Sequence, residues 1–243
     1  MQSRQYYIFS VGHSGTAWLS NALTARRHGH VCLYRPRLVA PEEVPPGSWL
    51  QPEWAAKGYL PYLLEMRSKF CNVGDAGSWP LALVPYALSN ILAPEPGTKV
   101  VLLVRNGRQV IDAFLRHLKG ADATTLRPYL TLPEHTALQL DYTPPPVNGD
   151  LFRSLCVGWA HNLHLVRTMQ AQMPSVPFQV VRIEDIRTNI EILSQYLFGT
   201  EHPSPKSIGQ ISEGSSPTNW TTEQKVYFSE ICGESMSYFG YEI

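Results

Sequence analysis

A short apolar run that stops at a glycine turn constrains this chain more than any other feature. Ile8, Phe9, Ser10 and Val11 are strand-like, and the run ends at Gly12. His13, Ser14, Gly15, Thr16 and Ala17 follow. From Thr16 to residue 25 the pattern turns helical, with Trp18, Leu19, Ala22 and Leu23 along one side. Strand, small-residue turn and helix in this order form the layout of a phosphate-binding loop. Successive backbone N–H groups curl round an anion, and the helix N-terminus adds its positive dipole end. The same residues also suit a plain strand–turn–helix joint in which Ser14 caps the helix. No Lys follows Gly15, so the G-x-x-x-x-G-K-[ST] pattern is not met. That argues against ordinary ATP or GTP hydrolysis with a loop-held magnesium.

The rest of the chain alternates in the same way. Strands are expected at 8–11, 30–34, 71–73, 99–104 and 178–182. Helices are expected at 16–25, 55–69, 81–92, 109–118, 151–173, 190–198 and 221–238. Lys99-Val100-Val101-Leu102-Leu103-Val104 is nearly all apolar, as a strand is when helices cover both faces of a parallel sheet. The βαβα order predicts a single-domain α/β fold over residues 1–243: a three-layer, P-loop-like sandwich with a central parallel sheet of about five strands. Residues 41–54 and 125–148 are rich in Pro and polar groups and read as loops or a lid over a substrate pocket. Ligands in such folds bind at the carboxyl ends of the strands. Gly12 to Thr16, Asp75 and Arg105 each follow an expected strand, so they are expected on one rim.

Composition removes several function classes. With 20 Lys+Arg against 20 Asp+Glu the formal net charge is zero, which argues against a general nucleic-acid binder. No apolar stretch reaches the ~20 residues of a membrane span, and no secretory leader pattern precedes the first strand. Cys32, Cys71, Cys156 and Cys232 are scattered without a CxxC, which suits reduced thiols better than a disulfide frame or a metal site. A cytoplasmic protein without a metal or membrane partner is the expectation.

The second anchor is Arg105-Asn106-Gly107-Arg108-Gln109-Val110-Ile111-Asp112-Ala113-Phe114, directly after the clearest strand. An Arg at a buried strand end is a bidentate, always-charged phosphate clamp, or else the cation of a salt bridge closing that end. Together with Gly12-His13-Ser14-Gly15-Thr16-Ala17-Trp18-Leu19, this segment resembles the PAPS-dependent sulfotransferases. PAPS, 3′-phosphoadenosine 5′-phosphosulfate, is the activated sulfate donor; PAP is its product. Two further segments are similar to that family in the same order: Val180-Val181-Arg182-Ile183-Glu184-Asp185, and Trp220 with Phe239-Gly240-Tyr241. The chain departs from the family where His13 stands for Lys or Arg and where Ala113 stands for a 3′-phosphate Ser. The family's basic loop has no copy near 212–216; Lys206 is the nearest basic residue there.

The resemblance implies a PAPS-dependent sulfotransferase that moves a sulfuryl group to a hydroxyl or amine of a small-molecule acceptor, without a metal. It implies that Gly12, His13, Ser14, Gly15, Thr16, Ala17 and Trp18 hold the 5′-phosphosulfate side of the donor and that Arg105 holds the 3′-phosphate. His13 is the candidate donor to the leaving oxygen, or a neutral His with a local bond. Trp18 either stacks near the adenine or belongs to the core. For the general base, Asp75 stands near the position where cytosolic members place a His, and it equally suits a turn or an N-cap. His117 is second; His28 and His30 are third. His161 and His164 read as structural residues of a long helix, and Glu184 and Asp185 as acceptors for helix or loop N–H groups. Two other readings remain: a kinase-like P-loop transferase, and a nucleotide-binding protein that has lost catalysis.

Overall fold

Five strands pair in parallel, in the spatial order β2-β3-β1-β4-β5. They are β1 (Arg4–Ser10), β2 (His30–Tyr34), β3 (Asn72–Pro80), β4 (Lys99–Val104) and β5 (Phe178–Arg182). This computed structural model describes residues 4–12, 14–24, 28–34, 60–81, 84, 87–88, 97–117, 145, 150–176, 178–188, 190–199 and 219–243. Among them are seven helices: α1 (Thr16–Leu23), α2 (Leu60–Lys69), α3 (Gly107–His117), α4 (Leu151–Gln172), α5 (Ile183–Thr188), α6 (Ile190–Phe198) and α7 (Thr222–Tyr238).

Strand alternation divides the core into two layers. Tyr7, Phe9, Val100, Leu102 and Val104 face Val110, Ile111, Cys156, Leu163 and Phe228, from α3, α4 and α7. Tyr6, Ile8, Val101 and Leu103 face Leu19, Leu23, Ile186, Leu193 and Phe198, from α1, α5 and α6. Both sides of the sheet are dry, which is why β4 is apolar along its length. The expected α/β sandwich with about five parallel strands is therefore the architecture this chain has.

β2, β4, β5 and α6 begin and end where the apolar patterning put them. Helix α1 ends at Leu23, two residues early, and α3 begins at Gly107, two residues early; three other elements differ more. β1 starts earlier, at Arg4. α5 follows β5 directly, where no helix was expected. β3 runs on to Pro80, although only 71–73 was expected as strand. Its Gly, Asp and Ser residues are poor strand formers. From Asn72 to Ala76 they are held extended because β1 and β2 pair with them from both sides; beyond that the register shifts between Ile8 and Ser10, Gly77 turns at a φ of 76°, and β1 pairs again at Pro80. Of the expected helix 81–92, the described residues Leu81, Val84, Ala87 and Leu88 are all buried. Residues 41–54, 202–218 and, apart from Pro145, 125–148 lie outside the described residues. Among the described residues no helix is long and apolar enough to cross a membrane.

Candidate functional site

The strand order reverses around β1. β3 and β2 continue on one side of it, and β4 and β5 on the other. In a parallel sheet of this kind the connections leaving two such neighbours diverge, and a crevice opens at their carboxyl ends. Ser10 pairs with Leu103, and the Val11 N–H donates to the Leu103 carbonyl at 3.4 Å. The two chains therefore leave the sheet side by side, one into the Gly12 loop and the other into the Arg105 turn.

The Gly12 loop is shaped by its own short contacts. Gly12 and Gly15 have φ of 83° and 78°, the left-handed region that side chains rarely enter. Gly12 has a second constraint: a Cβ there would stand 3.0 Å from the Phe114 ring of α3. Ser14 is fully buried and its hydroxyl donates to the Gly12 carbonyl at 2.8 Å. It does not cap α1; Gly15 is the N-cap residue and supplies no side-chain bond. Helix α1 opens with the Leu19 N–H on the Gly15 carbonyl, 2.9 Å. The dipole end of α1 thus stays uncapped by side chain, the arrangement an anion completes. Thr16 is buried, and Ala17 and Trp18 are half-buried; Trp18 packs against the α1-side core. His13 lies outside the described residues.

The Arg105 turn is held from three directions. Asn106 caps α3: its Oδ1 accepts from the N–H groups of Arg108 (3.0 Å) and Gln109 (3.4 Å). The Arg105 Nε donates to Gln109 Oε1 at 3.1 Å. Trp159 of α4 donates its indole N–H to the Arg105 carbonyl at 3.3 Å. The same ring lies where a Cβ on Gly107 would meet it at 2.9 Å, so the turn sits directly on the indole.

The third hold comes from β5 and the C-terminal segment. Glu184 accepts from the Asn106 N–H at 3.1 Å through Oε1, and from the Tyr241 hydroxyl at 3.1 Å through Oε2. Burial and the neighbouring Glu184 carboxylate push the Tyr241 hydroxyl well above its ordinary pKa, so it remains a proton donor. Arg182 bonds both oxygens of Asp185 at 2.8 Å and donates to the Gly240 carbonyl at 2.9 Å. The Arg182 guanidinium holds the Asp185 carboxyl below the usual carboxylate range. Glu184 thus accepts from a loop N–H as the sequence suggested, whereas Asp185 is bonded to the Arg182 side chain.

Two solved structures share this arrangement of strands and helices. The sulfotransferase domain from the curacin biosynthetic pathway aligns over 100% of this chain and 99% of its own, with 14% identity and a TM-score of 0.56. A sulfotransferase from Alicyclobacillus acidocaldarius aligns over 98% of this chain and 96% of its own, with 13% identity and a TM-score of 0.51. The chain has a sulfotransferase fold. Mouse sulfotransferase SULT7A1, solved in complex with PAP, is more distant, with 11% identity over 98% of this chain and 85% of its own and a TM-score of 0.46. No family profile and no curated protein sequence matches this chain.

On this sulfotransferase fold the candidate bases separate. Asp75 does not follow a strand end. It lies within β3, paired with Tyr7 and Leu33, and is 2% exposed. Tyr7 is three residues short of the β1 tip, so Asp75 sits about 10 Å below the rim. His30 begins β2, at the opposite end of the sheet. There its Nδ1 lies 3.2 Å from Asn72 Nδ2, and its ring meets Phe198 edge-on at 4.7 Å. His28 lies just before it and shares that far end. His117 ends α3, three residues beyond Phe114, whose ring stands against Gly12. His161 is buried in α4, where burial and His164 lower its pKa to about 4.

Sequence reasoning missed Trp159, Phe114 and the role of Tyr241 in bracing the turn. Trp159 and Phe114 fall on helical faces where an aromatic residue is ordinary core. No local signal distinguishes a core aromatic from one that also supports a loop. Tyr241 stood in a motif similar to the family's C-terminus, but its partner Glu184 is 57 residues away.

Proposed function

We propose that this chain is a PAPS-dependent sulfotransferase acting on a hydroxyl or amine of a small-molecule acceptor. The observation that carries the reading is the adjacency of the Gly12 loop and the Arg105 turn at the tips of β1 and β4, on a sulfotransferase fold. Two anion grips on neighbouring tips suit a ligand with phosphate groups at both ends.

The reaction is an in-line displacement at sulfur. The acceptor oxygen or nitrogen forms the new bond to sulfur, the bond from sulfur to the 5′-phosphate oxygen breaks, and PAP leaves with that electron pair. By analogy with phosphoryl transfer, the protein mainly positions the partners and stabilises spreading negative charge. The backbone N–H groups of Ser14, Gly15, Thr16 and Ala17 cradle the 5′-phosphosulfate, and His13 donates to the leaving oxygen. Arg105 holds the 3′-phosphate. His117, on the helix that follows the Arg105 turn, takes the acceptor's proton; Asp75 is buried within β3. The four cysteines form no disulfide, which suits the reducing cytoplasm.

Thermal-shift titration of the full chain with PAP, ATP and GTP tests the binding. Stabilisation by PAP alone is expected, and it should be lost in Arg105→Ala. Stabilisation by ATP in its place would favour a kinase-like transferase. Transfer of radiolabelled sulfuryl from PAPS to a panel of phenols, alcohols and amines tests the chemistry. PAP binding with no transfer to any of them would indicate a non-catalytic binding protein.

A further inference from the structure

We infer that Arg108 is the second cation on the donor's 3′-phosphate, supplying here what neither Ala113 nor a basic loop provides. The inference rests on the proposed function and names a residue that no motif picked out. A phosphate at the Arg105 turn carries close to two negative charges and needs more than one guanidinium. At the helix end, Asn106 Oδ1 already takes the Arg108 and Gln109 N–H groups. Ala113 has no hydroxyl to offer.

Arg108 is exposed in the first turn of α3, three residues after Arg105. Among the described residues it forms no ion pair. Its guanidinium lies over the Trp220 ring, 5.0 Å from the centroid. A cation–π contact of this kind leaves guanidinium N–H donors for an anion. The indole is a fixed platform. Its N–H donates to Asp112 Oδ1 at 2.8 Å, and Phe152 and Phe228 meet it edge-on at 4.9 and 5.0 Å. Asp112 lies one turn beyond Arg108 and is buried, with one oxygen committed to that indole. Arg108, three residues after Arg105, is therefore a long cation with a fixed ring to rest on, which lowers the entropy lost on binding.

The test measures binding of PAP and of 5′-AMP, which lacks the 3′-phosphate, to the full chain by calorimetry. The unmodified chain should prefer PAP. Arg108→Ala should weaken PAP about 10- to 100-fold and leave 5′-AMP unchanged; Arg108→Lys should fall between. Arg116→Ala, on the same helix, should change neither. If Arg108→Ala binds PAP normally while Arg105→Ala does not, the inference is overturned and the sulfotransferase reading stands. An equal loss for PAP and 5′-AMP also overturns it, since that marks Arg108 as a structural brace of Trp220. If the unmodified chain does not distinguish the two nucleotides, both readings fall together.

Discussion

Trp159 meets the Arg105 turn twice, with its indole N–H on the Arg105 carbonyl at 3.3 Å and its ring against Gly107. A residue in the middle of α4 thereby sets the height of a loop that leaves β4. The space is filled, so a methyl group added at Gly107 must displace the indole. Gly107→Ala should destabilise the chain by about 1–3 kcal/mol and weaken PAP together with it. Urea unfolding followed by tryptophan fluorescence measures the first effect, and calorimetry the second. A variant as stable as the parent would show that Trp159 yields without cost.

Tyr241 and Asn106 share the Glu184 carboxylate, so the C-terminal segment braces the same turn. Tyr241→Phe removes one hydrogen bond to a charged acceptor and changes little else. A loss of about 1.5–3 kcal/mol is expected, felt as a higher KM for PAPS with kcat kept. A fall in kcat at unchanged KM would place Tyr241 in the chemistry and not in the support.

The pH dependence of stability has one clear source in α4. His161 titrates at about 4 in the folded chain, against 6.5 for the free side chain, because burial disfavours its charged form. Its neutral state costs nothing above pH 6.5. As the pH falls from 6.5 towards 4 the unfolded chain takes up the proton first, and stability drops by on the order of 1–3 kcal/mol. His161→Gln should flatten this part of the curve. An unchanged slope between pH 6.5 and 4 would assign it to other groups.

Catalysis should divide between His13 and His117. His13→Lys should retain transfer and His13→Ala lose most of it, because a cation beside the leaving oxygen is what the step requires. His117→Ala should lower kcat by about 10²- to 10⁴-fold while PAP still binds. Asp75→Asn should act mainly on stability, given its burial within β3. A kcat loss confined to Asp75→Asn would return the proton-transfer role to that carboxylate.

The parts of the fold visible in the sequence are those whose signal is local. β4 and β5 were readable as short apolar runs, and the Gly12 turn by its small residues. The long helix was readable at 151–173, and the structure ends it one residue earlier, at Gln172. The length of β3 was not readable, since Asn72–Pro80 carries little strand propensity and its pairing with β1 and β2 decides its extent. The misplacement of Asp75 follows from that: a strand ended too early turns a buried residue into a rim residue. His30 was misjudged for a related reason, because one strand's pattern does not say which of its ends reaches the crevice.

Spacing and residue type in the linear chain were enough to establish an α/β sandwich, to mark the turn at Gly12 and to single out Arg105, because hydrophobic periodicity and turn chemistry act over a few residues. Which strand tips became neighbours, which carboxylate was buried, and which aromatic rings came to rest under Arg105 and Arg108 depended on pairing and packing between segments 50 to 110 residues apart. Such contacts leave no trace in the spacing of either partner, since a tryptophan filling core and a tryptophan filling core beneath the Arg105 turn satisfy the same local rule.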